Sequence, residues 1–381
     1  MCRNIFVPTM ARVGESDSQL ALGNYSYDTN ETYIPADEDP SLSLAAPIFM
    51  ICAVIVGTLG NGGLIYIVLR NRDMRNIPNL LILNLSVGDF LYLALNVPFY
   101  IANYLVGSFA WNFGLCRFVN ALQFISQGVS VFTLTALSTD RFYAIARPLQ
   151  QRQSNSTRRT IGLAAGIWVL STVFAIPAVA FTTTKHGGCG LPYQSVQTKV
   201  YYVILFVGLY LIPLVVISVF YTLTAVALLH GSFKLESRVR QGGNEKRMRS
   251  RTRLAMIILI AAVCFAICWL PFYLFVLWFE FGFDPVVFGK PAMYCLFDMH
   301  YLLPILGSCL NPIILFVMSS NYRLHLRSLF TCSSCSPTVA KRQLTSARSW
   351  TMMSLRNTSY SRSPTSVTEL PRSNSHLSQL N

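Results

Sequence analysis

Charge is in short supply. Only 12% of the 381 residues are Asp, Glu, Lys or Arg, against roughly 25% in an average soluble domain. With 53% hydrophobic residues and a positive mean hydropathy, that shortage excludes an ordinary water-soluble globular protein. Catalytic signatures are missing too. There is no Gly-x-Ser-x-Gly elbow, no His-Glu-x-x-His pair and no glycine-rich phosphate loop, so no enzyme reading starts from a motif. The ten cysteines form no paired zinc array; Cys332-Ser-Ser-Cys335 stands alone. Residues 1–45 contain no apolar core of signal-peptide length, so the first apolar run is expected to serve as the targeting signal. No repeat relates one half of the chain to the other, which argues against a transporter built from inverted repeats.

What is abundant is long apolar sequence. Seven runs, at 46–69, 78–101, 114–146, 160–181, 201–229, 254–279 and 293–318, each reach the roughly 20 residues that cross a bilayer as a helix. The expected fold is an all-α membrane protein, a seven-helix bundle occupying residues 46–318. The net charge of +14 does not signal nucleic acid, because the basic residues sit in particular loops. Arg70, Arg72 and Arg75 follow the first run, Arg147, Arg152, Arg158 and Arg159 the third. A further basic stretch runs from Lys234 to Arg253. The positive-inside rule makes these loops cytoplasmic and the N terminus extracellular.

The flanks agree with that orientation. Residues 1–45 are mildly acidic and offer Asn24-Tyr-Ser and Asn30-Glu-Thr as glycosylation acceptors. Asn155 and Asn357 match the same pattern on the cytoplasmic side and are discounted. Residues 319–332 read as a short amphipathic helix in the interface, with Tyr322, Leu324, Leu326, Leu329 and Phe330 alternating with Arg323, His325 and Arg327. Cys332 and Cys335 are candidate palmitoylation sites or simple reduced thiols. Residues 333–381 are rich in Ser, Thr and Arg; they read as a disordered tail and a substrate for phosphorylation.

The third run carries the most information. A helix from Cys116 to Arg147 would measure roughly 45 Å at about 1.5 Å per residue, longer than the roughly 30 Å hydrocarbon core. Asn120, Gln123, Phe124, Gln127, Ser130, Val131 and Leu134 recur on one face. Such a polar face turns toward protein or water; a bundle helix with a few satisfied amides would account for it equally well. Asp89, within Leu83-Asn-Leu-Ser-Val-Gly-Asp-Phe-Leu91, lies near mid-membrane, where a carboxylate costs several kcal/mol and marks a functional position by default. A protonated Asp89 used for packing is the competing view. Asn61 and Asn311-Pro312 lie at comparable depth.

From Val129 to Leu149 the sequence reads Val-Ser-Val-Phe-Thr-Leu-Thr-Ala-Leu-Ser-Thr-Asp-Arg-Phe-Tyr-Ala-Ile-Ala-Arg-Pro-Leu. This stretch resembles the third helix of rhodopsin-like (class A) G-protein-coupled receptors. Gly128 to Phe142 is especially similar to the bombesin, endothelin and CCHamide-type peptide receptors. The resemblance covers residues 46–335 and implies a Cys116–Cys189 disulfide. It implies a sodium site formed by Asp89, Ser130 and Asn311, with Gly307 supplying no side-chain oxygen where many relatives have one. It further implies an activation path through Asp140, Arg141, Pro213, Tyr221, Phe265, Trp269, Pro271, Asn311 and Pro312, with Cys268-Trp-Leu-Pro271 as its switch motif. Cys2 and Cys295 offer a second, weaker pairing. One motif departs from the family: Asn311-Pro-Ile-Ile-Leu-Phe316 lacks the usual tyrosine hydroxyl.

What the resemblance implies about function is a plasma-membrane receptor, not an enzyme, with no cofactor beyond a possible allosteric sodium ion. The implied partners are an extracellular peptide, a heterotrimeric G protein, receptor kinases, arrestin and the lipid bilayer. Placed on the family's bundle, Asn120, Gln123, Phe124, Phe272, Val276, Phe279, Phe297 and Tyr301 would line the ligand cavity. Gln123 stands where amine receptors carry Asp, which argues against a monoamine, and Ile305 where opsins carry Lys, which excludes a retinal Schiff base. Bombesin-type receptors share the glutamine but carry arginines in place of Val276 and Tyr301. A short amidated neuropeptide other than bombesin is the expected ligand; a non-peptide ligand is the alternative. A channel or transporter would need several ionisable residues along a continuous path, and only Asp89 lies deep.

Overall fold

The computed structural model describes residues 45–106, 112–146, 157–184, 189–192, 195–236, 242–282 and 289–330. Among them, seven helices are long and apolar enough to cross a membrane. The spans are Ala45–Arg70, Ile77–Leu91 continued through Tyr92–Asn96 into Val97–Val106, and Phe113–Ala146. Thr157–Phe181 follows, then Val196–Phe206 continued through Val207–Leu211 into Ile212–Glu236, then Gly242–Phe281 and Gly289–Met318. A short helix, Ser320–Phe330, comes last, and the bundle unit extends to Leu326.

Several of these helices outrun their apolar sequence. The fifth begins at Val196 because Ser195 caps it, accepting the Thr198 N–H at 3.1 Å. The sixth extends back to Gly242 through charged residues, because backbone hydrogen bonding is indifferent to hydropathy. The second starts behind Asn76, whose side chain accepts the Asn79 N–H at 3.1 Å.

Two π turns interrupt the second and fifth spans, at Tyr92–Asn96 and Val207–Leu211. Each ends two residues before a proline, Pro98 and Pro213. A proline has no N–H and its ring collides with the carbonyl four residues back. A widened turn there relieves the collision and rotates the helix that follows.

The third span is the axis of the bundle. Of its apolar window 67% is buried, against 28% in the first span and 22% in the fourth. Leu122, Phe124, Val131, Leu134 and Leu137 are buried along it. It lies so close to the fourth span that a Cβ on Gly128 would meet Ser171 Oγ at 2.7 Å. Polar clamps join the same elements: Trp168 Nε1 donates to Asn84 Oδ1 at 2.9 Å, and Asn84 Nδ2 donates to Thr133 Oγ1 at 2.8 Å. Leu59, Val169 and Val317 stay more than 60% exposed on outer faces. Side chains of that kind, repeated around the bundle, need lipid rather than water.

At one end, Cys116 and Cys189 are joined by a disulfide with Cα atoms 5.6 Å apart. The adjoining Thr183 and Gly190 exchange backbone hydrogen bonds at 2.8 and 3.2 Å. At the other end, Tyr322 of the short helix is 2% exposed. Arg323 donates to the Phe316 carbonyl at 3.4 Å and also to that of Val317, filling acceptors left open where the seventh span stops.

Candidate functional site

At the disulfide end, aromatic and polar side chains from five spans meet. Gln123, 8% exposed, projects from the third span, and its Oε1 accepts the Tyr100 hydroxyl of the second at 2.5 Å. Its neighbour in sequence, Phe124, meets Tyr201 of the fifth span edge-on at 5.7 Å and Phe272 of the sixth at 6.5 Å. Phe272 continues the contact to Trp269 at 5.5 Å and to His300 of the seventh at 6.3 Å. Tyr301 closes the ring, 5.5 Å from Tyr100. Val276 is buried, and Phe279 stacks on Phe275 at 5.6 Å. Beneath them Gln127 Nε2 donates to the Tyr273 hydroxyl at 2.5 Å, and that hydroxyl donates to the Leu205 carbonyl at 3.3 Å.

Two expected lining residues stand apart. Asn120 is committed to the disulfide: its Nδ2 donates to the Cys116 carbonyl at 3.1 Å and lies 3.4 Å from Cys189 Sγ. The Phe297 side chain falls outside the described residues, as do Cys2, the Cys295 side chain, Asn24, Asn30, Cys332 and Cys335. Sequence reasoning missed Tyr100, Tyr201, Tyr273 and His300. They sit in apolar runs, and nothing local distinguishes a cavity-facing tyrosine from a core one.

Mid-bundle, Asp89 is 1% exposed. Its Oδ1 accepts Ser130 Oγ–H at 3.0 Å and its Oδ2 accepts Asn311 Nδ2–H at 2.7 Å. Asn61 Nδ2 donates to the carbonyls of Gly57 at 3.0 Å and Ser308 at 3.1 Å. Asn61 Oδ1 is sealed with no hydrogen-bond partner. A carboxylate and a hydroxyl are hard donors of the kind an alkali cation takes, so the chemistry of Asp89 and Ser130 is compatible with sodium. Gly307 has a packing role: a Cβ there would approach Cys268 Cβ to 3.2 Å, so its lack of side chain lets the sixth and seventh spans close.

At the far end, Arg141 and Asp140 form an ion pair with side chains only 6% and 12% exposed. Tyr221 of the fifth span donates to the Ala255 carbonyl of the sixth at 2.9 Å. Arg251 of the sixth donates to the Ala144 carbonyl of the third at 2.8 Å. Between the two ends the sixth span carries Phe265 and Trp269, whose rings lie 5.9 Å apart, and passes Pro271 without ending. Pro312 is likewise inside the seventh. In place of the missing tyrosine, Leu315 is buried in the apolar core and Phe316 packs against it.

This arrangement has an amide among aromatic rings at the disulfide end, a buried carboxylate mid-bundle and a clamped far end, joined by packed rings. The family described as 7 transmembrane receptor (rhodopsin family) matches residues 60–315. The chain belongs to that family: it is a class A seven-transmembrane receptor, a multi-pass membrane protein and not an enzyme. Within the family it is 34% identical over 334 residues to the neuropeptide CCHamide-1 receptor of Drosophila melanogaster, covering 82% of this chain and 66% of that receptor. It is 30% identical over 339 residues to bombesin receptor subtype-3 of Ovis aries, covering 84% of each.

Proposed function

We propose that the protein is a plasma-membrane receptor for a short, C-terminally amidated extracellular neuropeptide. In this reading the disulfide end faces outward. The observation that carries it is the cluster at that end, where the Gln123 amide, bonded to Tyr100, shares one level of the bundle with the rings of Phe124, Phe272 and Tyr301. An amide suits peptide backbone or a terminal carboxamide, and the rings suit an apolar side chain. Two relatives whose names specify peptides support the class. Binding shifts an equilibrium between packings of the bundle, the sixth span moves from Ala144, and a heterotrimeric G protein of the calcium-mobilising class docks a helix in the groove. Receptor kinases and arrestin would act on the tail, Asn24 and Asn30 would carry glycans, and Cys332 and Cys335 palmitate. Sodium at Asp89, Ser130 and Asn311 would favour the resting packing.

The test is calcium release in transfected cells challenged with a neuropeptide library that includes CCHamide-1 and bombesin. An amidated peptide acting at nanomolar concentration is the expected result. Silence to every peptide, with a response to a non-peptide metabolite, would overturn the ligand class and leave the family standing.

A further inference from the structure

We infer that Tyr100 is a positioning residue of the ligand site, one that turns the N–H donors of Gln123 into the cavity so that the site takes a hydrogen-bond-accepting oxygen. The inference deepens the peptide-receptor reading and rests on it for the identity of the ligand, but not for the geometry. Tyr100 belongs to the second span just beyond its π turn, three residues after Val97. The added turn helps set the direction of this side chain toward the third span. Its hydroxyl then reaches Gln123 Oε1 at 2.5 Å, and its ring is held against Tyr301 at 5.5 Å. One phenol thereby ties three spans at the level of the cavity.

The consequence lies in the other half of the amide. A primary amide has one acceptor oxygen and one nitrogen with two donors. Tyr100 occupies the oxygen. Among the described residues no hydrogen bond uses Gln123 Nε2. Nor is Nε2 one of the sealed, unpartnered polar atoms, as Gln127 Oε1, Asn96 Oδ1 and Asn61 Oδ1 are. It is a donor pair at a residue more than nine-tenths buried, on the opposite side of the amide from Tyr100. Without Tyr100 the amide could rotate and present either end. With it, the site selects a carbonyl or carboxylate oxygen and disfavours an ammonium. For a peptide ligand that oxygen is a backbone carbonyl or the carbonyl of the terminal carboxamide, read through its oxygen rather than its nitrogen.

The experiment has two arms on the full-length receptor. The first needs no ligand. Nitrogen-15 glutamine labelling, with Gln123→Leu to assign the resonance, follows the side-chain amide protons of Gln123. Both protons are expected to exchange readily with water in the unmodified receptor, and Tyr100→Phe is expected to broaden or shift the pair. One protected proton in the unmodified receptor, or identical spectra in Tyr100→Phe, would overturn the inference. The second arm uses CCHamide-1 as probe. At matched surface expression, Tyr100→Phe is expected to raise EC50 by roughly 5- to 20-fold, the scale of one lost hydrogen bond. The double variant Tyr100→Phe/Gln123→Leu is expected to be no worse than Gln123→Leu alone. Additive losses would assign Tyr100 a separate structural role and overturn the inference. If CCHamide-1 does not activate the unmodified receptor, that choice of peptide fails, and the amide-exchange arm still decides the orientation of Gln123.

Discussion

Asn311 on the seventh span and Asp89 on the second are in direct contact, Nδ2 to Oδ2 at 2.7 Å. Ser130 of the third span holds the other carboxylate oxygen at 3.0 Å. One buried carboxylate therefore pins three helices, and whatever competes for its oxygens changes their packing. Sodium is the proposed competitor. Replacing sodium with choline is expected to raise agonist affinity in the unmodified receptor, within the roughly 5- to 150-fold range typical of coupled sites. Asp89→Asn is expected to abolish that dependence. Radioligand affinity indifferent to sodium in the unmodified receptor would remove the ion from the mechanism.

The disulfide makes a sharper case. Cys116 and Cys189 tie the loop after the fourth span to the head of the third, and Asn120 adds its amide to the same junction. Cys116→Ser or Cys189→Ser is expected to eliminate peptide binding at the cell surface, because the outer wall of the cavity loses its anchor. Full binding in both variants would show that the loop holds its place without the bond.

How much of this was legible beforehand can be traced residue by residue. Seven spans were visible because length and apolarity are local properties. So was the short helix, in the alternation from Tyr322 to Arg327. The π turns were not read, although Pro98 and Pro213 were in plain view; proline signals a disturbance without saying which. The Cys116–Cys189 pairing came from family resemblance, since sequence alone leaves connectivity open. Asn120 shares a helical face with Gln123, and periodicity could not tell that one amide serves the disulfide and the other the cavity. Tyr100 was invisible for the same reason: its partner is on another helix, and pairing of that kind appears only once the bundle is assembled.

Tyr322 offers a test of stability alone. Its ring is buried at the foot of the bundle, and its hydroxyl is sealed with no hydrogen-bond partner. Burial pushes the phenol pKa up, so the group stays neutral and un-ionised. A buried hydroxyl with no partner costs about 1–3 kcal/mol. Tyr322→Phe keeps the packing and removes that cost. A rise of a few degrees in the apparent Tm of detergent-solubilised receptor is expected. An unchanged or lower Tm would mean that the hydroxyl has a partner after all.

Asp140 and Arg141 pair at the far end. Their ion pair is nearly enclosed, and Arg141 Nε is buried with no hydrogen-bond partner. Removing the carboxylate is expected to free the guanidinium, and removing the guanidinium to take away the group proposed to meet the G protein. Asp140→Asn is expected to raise basal nucleotide exchange several-fold, and Arg141→Ala to abolish agonist-driven exchange while preserving binding. A normal agonist response in cells expressing Arg141→Ala would count decisively against the proposed coupling path.

The last prediction returns to the cavity. Gln123 immediately precedes Phe124 in the third span, and the Phe124 ring leads through Phe272 to Trp269. Gln123→Leu keeps the approximate size and removes both the donors and the acceptor. It strands the Tyr100 hydroxyl as well as the ligand oxygen, so the loss combines two unmet hydrogen bonds. The cognate peptide is expected to weaken by about 1–3 kcal/mol, the cost of leaving a buried polar partner unsatisfied. The measurement is competition binding at matched surface expression, with Val276→Ala as a control that trims apolar contact and leaves the amide alone. A peptide that binds Gln123→Leu as tightly as the unmodified receptor would place its polar end elsewhere in the cavity.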